Sequence, residues 1–227
     1  VVLESHVAVA GRTSVGEATR IFPFASIGHI PQDLKFHGED VELVIGARNS
    51  IREHTTMNPG TGAGGGITRV GDGNLFMMST HVAHDCVVGN HTIFANTSTL
   101  AGHVHVGDWV ILGGFTGVHQ FVKIGAHSMT AVGSVLLADL PPFVMAQGQP
   151  ARARSMNFEG LRRRGFSAER IAAVKAMHKA LYRDHLTLAQ ACERIADLVK
   201  TSPESSPDVA LMLSFLEQSS PQRGIVR

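Results

Sequence analysis

The sequence predicts a solenoid of parallel β-strands with three-sided coils, followed by a small α-helical C-terminal domain. Three observations carry that reading: a six-residue hydrophobic step, an 18-residue period laid over it, and a change to helical spacing after about residue 150. The step runs through Val70, Phe76, Val82, Val88, Phe94, Leu100, Val106, Leu112, Val118 and Ile124, all large and apolar. Two residues before each stand Thr68, Asn74, Thr80, Cys86, Thr92, Ser98, Val104, Val110, Thr116 and Val122, nearly all small or β-branched. Val70-Gly71, Val88-Gly89, Val106-Gly107 and Ile124-Gly125 recur every 18 residues. A step of six fits neither a 3.6-residue helix nor a simple alternating strand. Two inward positions two apart, then a turn, make a short strand and a corner, and three such units close one coil. Strands of successive coils then stack about 4.8 Å apart. Each inward Val or Leu contributes about 1.5–3 kcal/mol when fully buried.

The solenoid is assigned to residues 1–150. Its first coils step through Leu3, Val9, Val15, Ile21 and Ile27, and the step resumes at Ile45, Ile51 and Met57. Residue 1 is Val and already lies inside the pattern, so the N-terminus is expected to be cut away. Two excursions interrupt the coils, at 28–44 ("HIPQDLKFHGED" within it) and at 58–69 ("NPGTGAGGGITR"). "PGTGAGGG" invites a phosphate-loop reading, but no Gly-Lys-Ser/Thr follows, and a flexible loop is the reading kept. Residues 151–227 form the helical domain. Ile171, Val174, Met177 and Leu181 share a helical face behind Ser167 as N-cap. Thr187 and Gln190 have capping-box spacing before a face of Leu188, Cys192, Ile195 and Leu198 or Val199. Ser206-Pro207 opens a further helix through Val209, Leu213 and Leu216.

Composition removes several function classes. A formal net charge of +1 with 17% charged residues gives no long-range attraction to nucleic acid or an anionic membrane. No stretch approaches the roughly 18 apolar residues of a membrane span. Cys86 and Cys192 offer no disulfide framework, and with no signal peptide in view the expected compartment is the cytoplasm. Cys86 falls on a small inward position and reads as inert core.

Histidines concentrate between Thr80 and Gly107, at His81, His84, His91, His103 and His105. Residues 18 apart share a column of the solenoid. His84 therefore stacks with Gly102 and Gln120, Asp85 with His103 and Phe121, and Ala83 with Ala101 and His119. None of His81, His84, His103 or His119 is on the inward step, and they gather near one corner beside Asp85. His91 and His105 read as solvated corner residues. A carboxylate next to His84 can orient the imidazole and raise its basicity. Gly102, one coil above, leaves a bare backbone N–H near whatever the imidazole attacks. A base beside a free N–H donor is equipment for acyl transfer. The rival from another class is a zinc-dependent hexapeptide-repeat carbonic anhydrase, whose pattern includes two histidines five apart. No two histidines here are five apart, so no metal is expected. A non-catalytic scaffold is the third possibility, against which the excursions and the polar corner argue weakly.

The segment "HVAHDCVVGNHTIFANTSTLAGHVHVGDWVILGGFTGVHQFVKIGAH" closely resembles the acyl-[acyl-carrier-protein]–UDP-N-acetylglucosamine O-acyltransferases. "FASIGHIPQDLKFHGE", "PPFVMAQGQPA" and "NFEGLRRRGFS" extend the resemblance over nearly the whole chain, less about two coils at the start. The resemblance implies a left-handed parallel β-helix, an exception to the right-handed crossover rule, and a homotrimer with sites in clefts between subunits. It implies transfer of a 3-hydroxyacyl chain from acyl carrier protein to the 3-OH of UDP-N-acetylglucosamine, the first step of lipid A synthesis. No cofactor is implied beyond the phosphopantetheine that carries the acyl group.

On this resemblance His84 is the general base, Asp85 orients it and the Gly102 N–H stabilises the oxyanion. His81, His103, His119 and Gln120 line the cleft. Gln32, Asp33 and Lys35 hold sugar and acyl donor. Asn157, Glu159, Arg163 and Arg164 contact the nucleotide, where arginine forks suit a diphosphate, although Arg162 to Arg164 alone also read as a basic helix start. Pro150 stands where better-known members carry a histidine, so that contact is dropped. Val132 stands at the position that limits acyl-chain length, where Gly admits longer chains and bulk shorter ones. The sibling N-acyltransferase shares the solenoid and a catalytic histidine but lacks the "QDLKF" excursion and ends differently.

Overall fold

The structure, a computed structural model, describes residues 1–227. Its body is a left-handed parallel β-helix of short strands, nearly all of two to four residues. They assemble into three sheets of nine, seven and six strands. The first sheet runs from Val2–Leu3 to Ala151–Met156, the second from Ala8–Val9 to Val135–Leu136, and the third from Arg12–Val15 to Lys123–Ile124. Past the excursions the register is 18 residues: His81 pairs with Thr99, Val82 with Leu100, and Val88 with Val106. From Ile21 onward the six-step residues are the core, with Ile21, Ile51, Phe76, Val82, Phe94, Leu100 and Leu112 fully buried, whereas Leu3 and Val9 of the first coil are exposed.

Left-handed corners account for five of the thirteen histidines. At nearly every corner one non-glycine residue has positive φ, among them His6, His54, Asp85, His91, His103 and His127. Asp, Asn and His tolerate that left-handed region better than most residues. Successive corners stack their rings. The edge between the third and first sheets carries His91 on Trp109, with His127 and Phe143 beyond. The edge between the second and third sheets carries Asp85, then His103 stacked on Phe121 at 4.3 Å. His91 is thus an exposed corner residue, as read from the sequence, and also part of a ring ladder.

Both excursions leave from that second-to-third edge, between Ser26–Ile27 and Glu42–Ile45 and between Thr56–Met57 and Ile67–Val70. The returning strands begin at Glu42 and Ile67, earlier than the hydrophobic step alone indicates, because Arg12–Val15 offers four residues to pair with. The end of the solenoid also differs from a simple stop near residue 150. Val144–Gly148 joins the first sheet in parallel, then folds back antiparallel on Ala151–Met156 through a cis Gln149–Pro150 bond.

Four helices follow: α1 (Phe158–Arg163), α2 (Ala168–Tyr182), α3 (Leu188–Thr201) and α4 (Ser206–Gln218). Ser167 caps α2, and Thr187 with Gln190 forms a capping box on α3. Helix α3 buries Ala191 and Ile195, whereas Leu188 is exposed. Arg170 of α2 forks onto buried Asp208 of α4 at 2.7 and 2.8 Å. No helix is long and apolar enough to cross a membrane.

His127 supplies a pH-dependent element of stability. Its Nδ1 lies 3.0 Å from Nη1 of Arg164, which can only donate, so Nδ1 accepts. Burial first, and the Arg164 charge second, push the His127 pKa down from 6.5 to about 4. The unfolded chain therefore binds this proton first as pH falls. Stability is full above about pH 6.5 and declines toward pH 4, by at most about 1.4 kcal/mol per pH unit from this group. His127→Gln is expected to flatten the acid limb of a Tm-against-pH profile between pH 4 and 6.5. An unaltered limb would show that His127 does not contribute to it.

Candidate active site on one edge of the helix

Asp85 organises the site. Its side chain is 1% exposed and accepts three close hydrogen bonds. The Thr61 N–H donates to Oδ1 at 2.9 Å, the Thr61 hydroxyl to Oδ2 at 2.7 Å, and His84 Nδ1 to Oδ2 at 2.8 Å. The Asp85 N–H in turn donates to Thr68 Oγ1 at 2.8 Å. A carboxylate only accepts, so the shared hydrogen sits on His84 Nδ1 and Nε2 keeps its lone pair. That is the tautomer a general base needs.

Thr68 stands on the small inward position two residues before Val70, whereas Thr61 lies in the glycine-rich segment read from sequence as a flexible loop. The structure makes it a clamp. Thr61 also caps a short 3-10 turn, Gly62–Gly64, and a Cβ on Gly64 would collide with the Asp85 carboxylate. Nothing in the sequence signals this contact, because it crosses 24 residues of chain with no recognisable motif.

Gly102 sits over the base. A Cβ there would lie 2.6 Å from His84 Nε2 and closer still to Cε1. Its N–H donates to no backbone carbonyl, as is also true of His84 and Gln120 in the same column. The free donor is thus a property of every corner on this column, and glycine adds room for the imidazole. His103 packs edge-on to His84 at 5.0 Å, its Nε2 3.8 Å from Asp85 Oδ2. His81 Nδ1 shares a hydrogen bond of 2.7 Å with Thr56 Oγ1, and burial, with the neighbouring His84 adding to it, lowers its pKa. His119 and Gln120 are exposed on the next coil. In the first excursion Asp33 accepts from the Lys35 N–H at 3.0 Å, leaving the Gln32 and Lys35 side chains free in solvent.

The donor atoms of His84, Asp85 and His103 lie within 4.8 Å of one another, close enough to surround a cation. The hydrogen bonds argue against that use. Asp85 Oδ2 is already taken by Thr61 and His84, and a cation would have to displace both.

The remaining expected site residues lie on other edges of this chain. Val132 is 72% exposed, in the turn between the Met129–Thr130 and Val135–Leu136 strands of the first and second sheets. Asn157 is buried and caps α1, accepting from the Gly160 N–H at 3.2 Å. Glu159 pairs with Arg163 at 2.9 Å on the exposed side of that helix. Arg164 is half-buried against Trp109 and His127 on the third-to-first edge. Arg162 and Arg163 end a six-residue helix and Arg164 caps it, so they do not begin one.

The chain is similar to known proteins over nearly its whole length. The model for domain 2 of the UDP-N-acetylglucosamine O-acyltransferases matches residues 139–226. The acyl-[acyl-carrier-protein]–UDP-N-acetylglucosamine O-acyltransferase of Albidiferax ferrireducens is 74% identical over 93% of this chain and 80% of its own length. Its counterpart in Verminephrobacter eiseniae is 54% identical over 96% and 83%. The crystal structure of a UDP-N-acetylglucosamine acyltransferase from Bacteroides fragilis superposes with a TM-score of 0.92 at 35% identity, covering 99% of this chain and 86% of that one. With identity at this level running through solenoid and helical domain alike, the chain belongs to the acyl-[acyl-carrier-protein]–UDP-N-acetylglucosamine O-acyltransferase family.

Proposed function

We propose that this chain transfers a 3-hydroxyacyl group from acyl carrier protein to the 3-OH of UDP-N-acetylglucosamine, the first step of lipid A synthesis, with His84 as base. The observation that carries the reading is the Thr61–Asp85–His84 chain, which ends in a free imidazole nitrogen beside Gly102. Nε2 takes the proton of the sugar hydroxyl as its oxygen attacks the thioester carbonyl. The negative charge then forms on the carbonyl oxygen, where the Gly102 N–H donates to it. The C–S bond breaks, and His84 returns its proton to the departing phosphopantetheine thiolate. Asp85 stabilises the imidazolium between these two transfers without itself taking the proton.

The threefold shape supports a homotrimer. The residues assigned to base, acyl-chain limit and nucleotide lie on three different edges of one prism, and an assembly that sets the edges of neighbouring chains together would unite them. Gln32, Asp33 and Lys35 share the edge of His84, and the free side chains of Gln32 and Lys35 suit the sugar and the donor. Asn157, Glu159, Arg163 and Arg164 are assigned to the nucleotide, and His81, His103, His119 and Gln120 to the cleft wall. Two free cysteines fit work in the cytoplasm.

No metal and no cofactor other than the carrier's phosphopantetheine is required in this mechanism. Full activity is expected after exhaustive chelation. Stoichiometric zinc, with activity lost on its removal, would favour the carbonic anhydrase reading. Val132, covered by a neighbouring chain, would close the acyl groove. Overfilling a tight pocket costs about 1–3 kcal/mol, so Val132 should disfavour the longest donors by roughly 10-fold or more. Val132→Gly is expected to shift preference toward longer 3-hydroxyacyl chains, and an unchanged preference would exclude Val132 as the limit.

A further inference from the structure

The His127 ring has no part in the acyl-transfer steps, yet it is built into the surroundings of residues assigned to the nucleotide. Arg164 closes α1 and carries its guanidinium to the third-to-first edge. Its Nη1 donates to His127 Nδ1 at 3.0 Å. The guanidinium carbon lies 5.6 Å from the centre of the Trp109 ring. Gly160 leaves room on a further side, because a Cβ there would lie 2.7 Å from Arg164 Nη2 and 2.6 Å from Asn157 Nδ2. Asn157 is tied to the same histidine, its Nδ2 donating to the His127 carbonyl at 3.2 Å. His127 therefore holds Arg164 by its ring and Asn157 by its backbone.

Arg164 is half-buried, and no carboxylate offsets the loss of hydration that lowers its pKa. One hydrogen bond to His127 leaves its other N–H groups free for an anion. A loose arginine loses rotamer freedom when it grips a ligand, whereas one already fixed in place does not. The histidine can fix it only while neutral, since a protonated ring donates from both nitrogens and repels the guanidinium. Burial and the Arg164 charge keep the ring neutral. Phe143 stacks on that ring at 5.6 Å and Phe166 meets it edge-on at 5.2 Å, so the acceptor is itself held in place.

We infer that His127 is a positioning residue for nucleotide binding, its Nδ1 presetting the Arg164 guanidinium for the diphosphate of the sugar nucleotide. The inference rests on the assignment of Arg164 to the nucleotide proposed above.

Two substitutions separate the hydrogen bond from the packing. His127→Phe keeps an aromatic ring in the ladder and removes the acceptor. The backbone accepts it, because Phe121 and Phe143 already occupy corners at φ 64° and 68°, against 62° at His127. His127→Asn removes the ring but keeps an acceptor close to the Nδ1 position, and Asn suits the left-handed backbone. The whole protein and its variants are titrated calorimetrically with UDP-N-acetylglucosamine. His127→Phe is expected to weaken binding about 10-fold, and His127→Asn to stay within about threefold of the parent. In steady-state assays His127→Phe should raise KM for UDP-N-acetylglucosamine by the same factor. Its kcat and its KM for the acyl carrier protein should stay within about twofold of the parent, because His84 stands on another edge. In an Arg164→Gln background His127→Phe should add almost nothing. Parent-like affinity in His127→Phe, equal losses in the Phe and Asn variants, or full additivity with Arg164→Gln would overturn the inference. If Arg164→Gln alone leaves affinity unchanged, the nucleotide assignment of Arg164 falls and takes the inference with it. If Arg164→Gln weakens binding while His127→Phe does not, the assignment stands and only the inference falls.

Discussion

Replacing His84 with alanine is expected to lower acyl transfer roughly 10²–10⁴-fold, the span typical of losing a positioned general base. The fold should survive. His84 is off the six-residue core step and outside the hydrophobic core, so its loss opens no apolar cavity. Asp85 keeps both of its bonds from Thr61 and is not left unpaired. The variant should therefore melt within a few degrees of the parent while steady-state assays with 3-hydroxyacyl carrier protein show the loss. Near-normal turnover would remove His84 from the mechanism. A collapsed melting temperature would make its role structural.

Gly102→Ala is expected to cost about 100-fold in kcat for a different reason. The added methyl group occupies space held by the His84 ring, 2.6 Å from Nε2. The ring cannot swing away freely, because Asp85 holds Nδ1 and His103 packs against it. It must shift by a fraction of an ångström or more, and misplacing a reacting group by about 1 Å can cost 100-fold. The double variant separates this effect from simple loss of the oxyanion donor. With His84 already replaced by alanine there is no ring to displace, and the substituted residue at the Gly102 position keeps its N–H. Gly102→Ala should then add little to His84→Ala, which makes the two strongly non-additive. Full additivity would show that Gly102 acts independently of the base.

Much of the fold is legible because a solenoid writes its geometry into the sequence. Val82, Leu100 and Val118 are inward for the same reason, and their spacing alone places them in one column. The same column logic sets His84 beside Gly102. It does not reach contacts that break the repeat. Thr61 holds Asp85 from inside an excursion, where composition suggests only freedom. The Val144–Met156 hairpin turns antiparallel after many parallel coils, and α1 is too short to show a period. The corner histidines are half legible: their columns are, but the left-handed backbone that favours His at His91, His103 and His127 is not. The roles proposed for Val132 and Arg164 rest on the proposed assembly with neighbouring chains, which no single-chain pattern records.

The account stands most directly on the product of one reaction. Purified protein is incubated with UDP-N-acetylglucosamine and a panel of 3-hydroxyacyl carrier proteins, and the product is analysed by mass spectrometry before and after mild alkali. The account requires a single 3-hydroxyacyl group on the 3-OH, released by alkali as an ester is. An alkali-stable amide, or no acylated nucleotide from any donor, would contradict it.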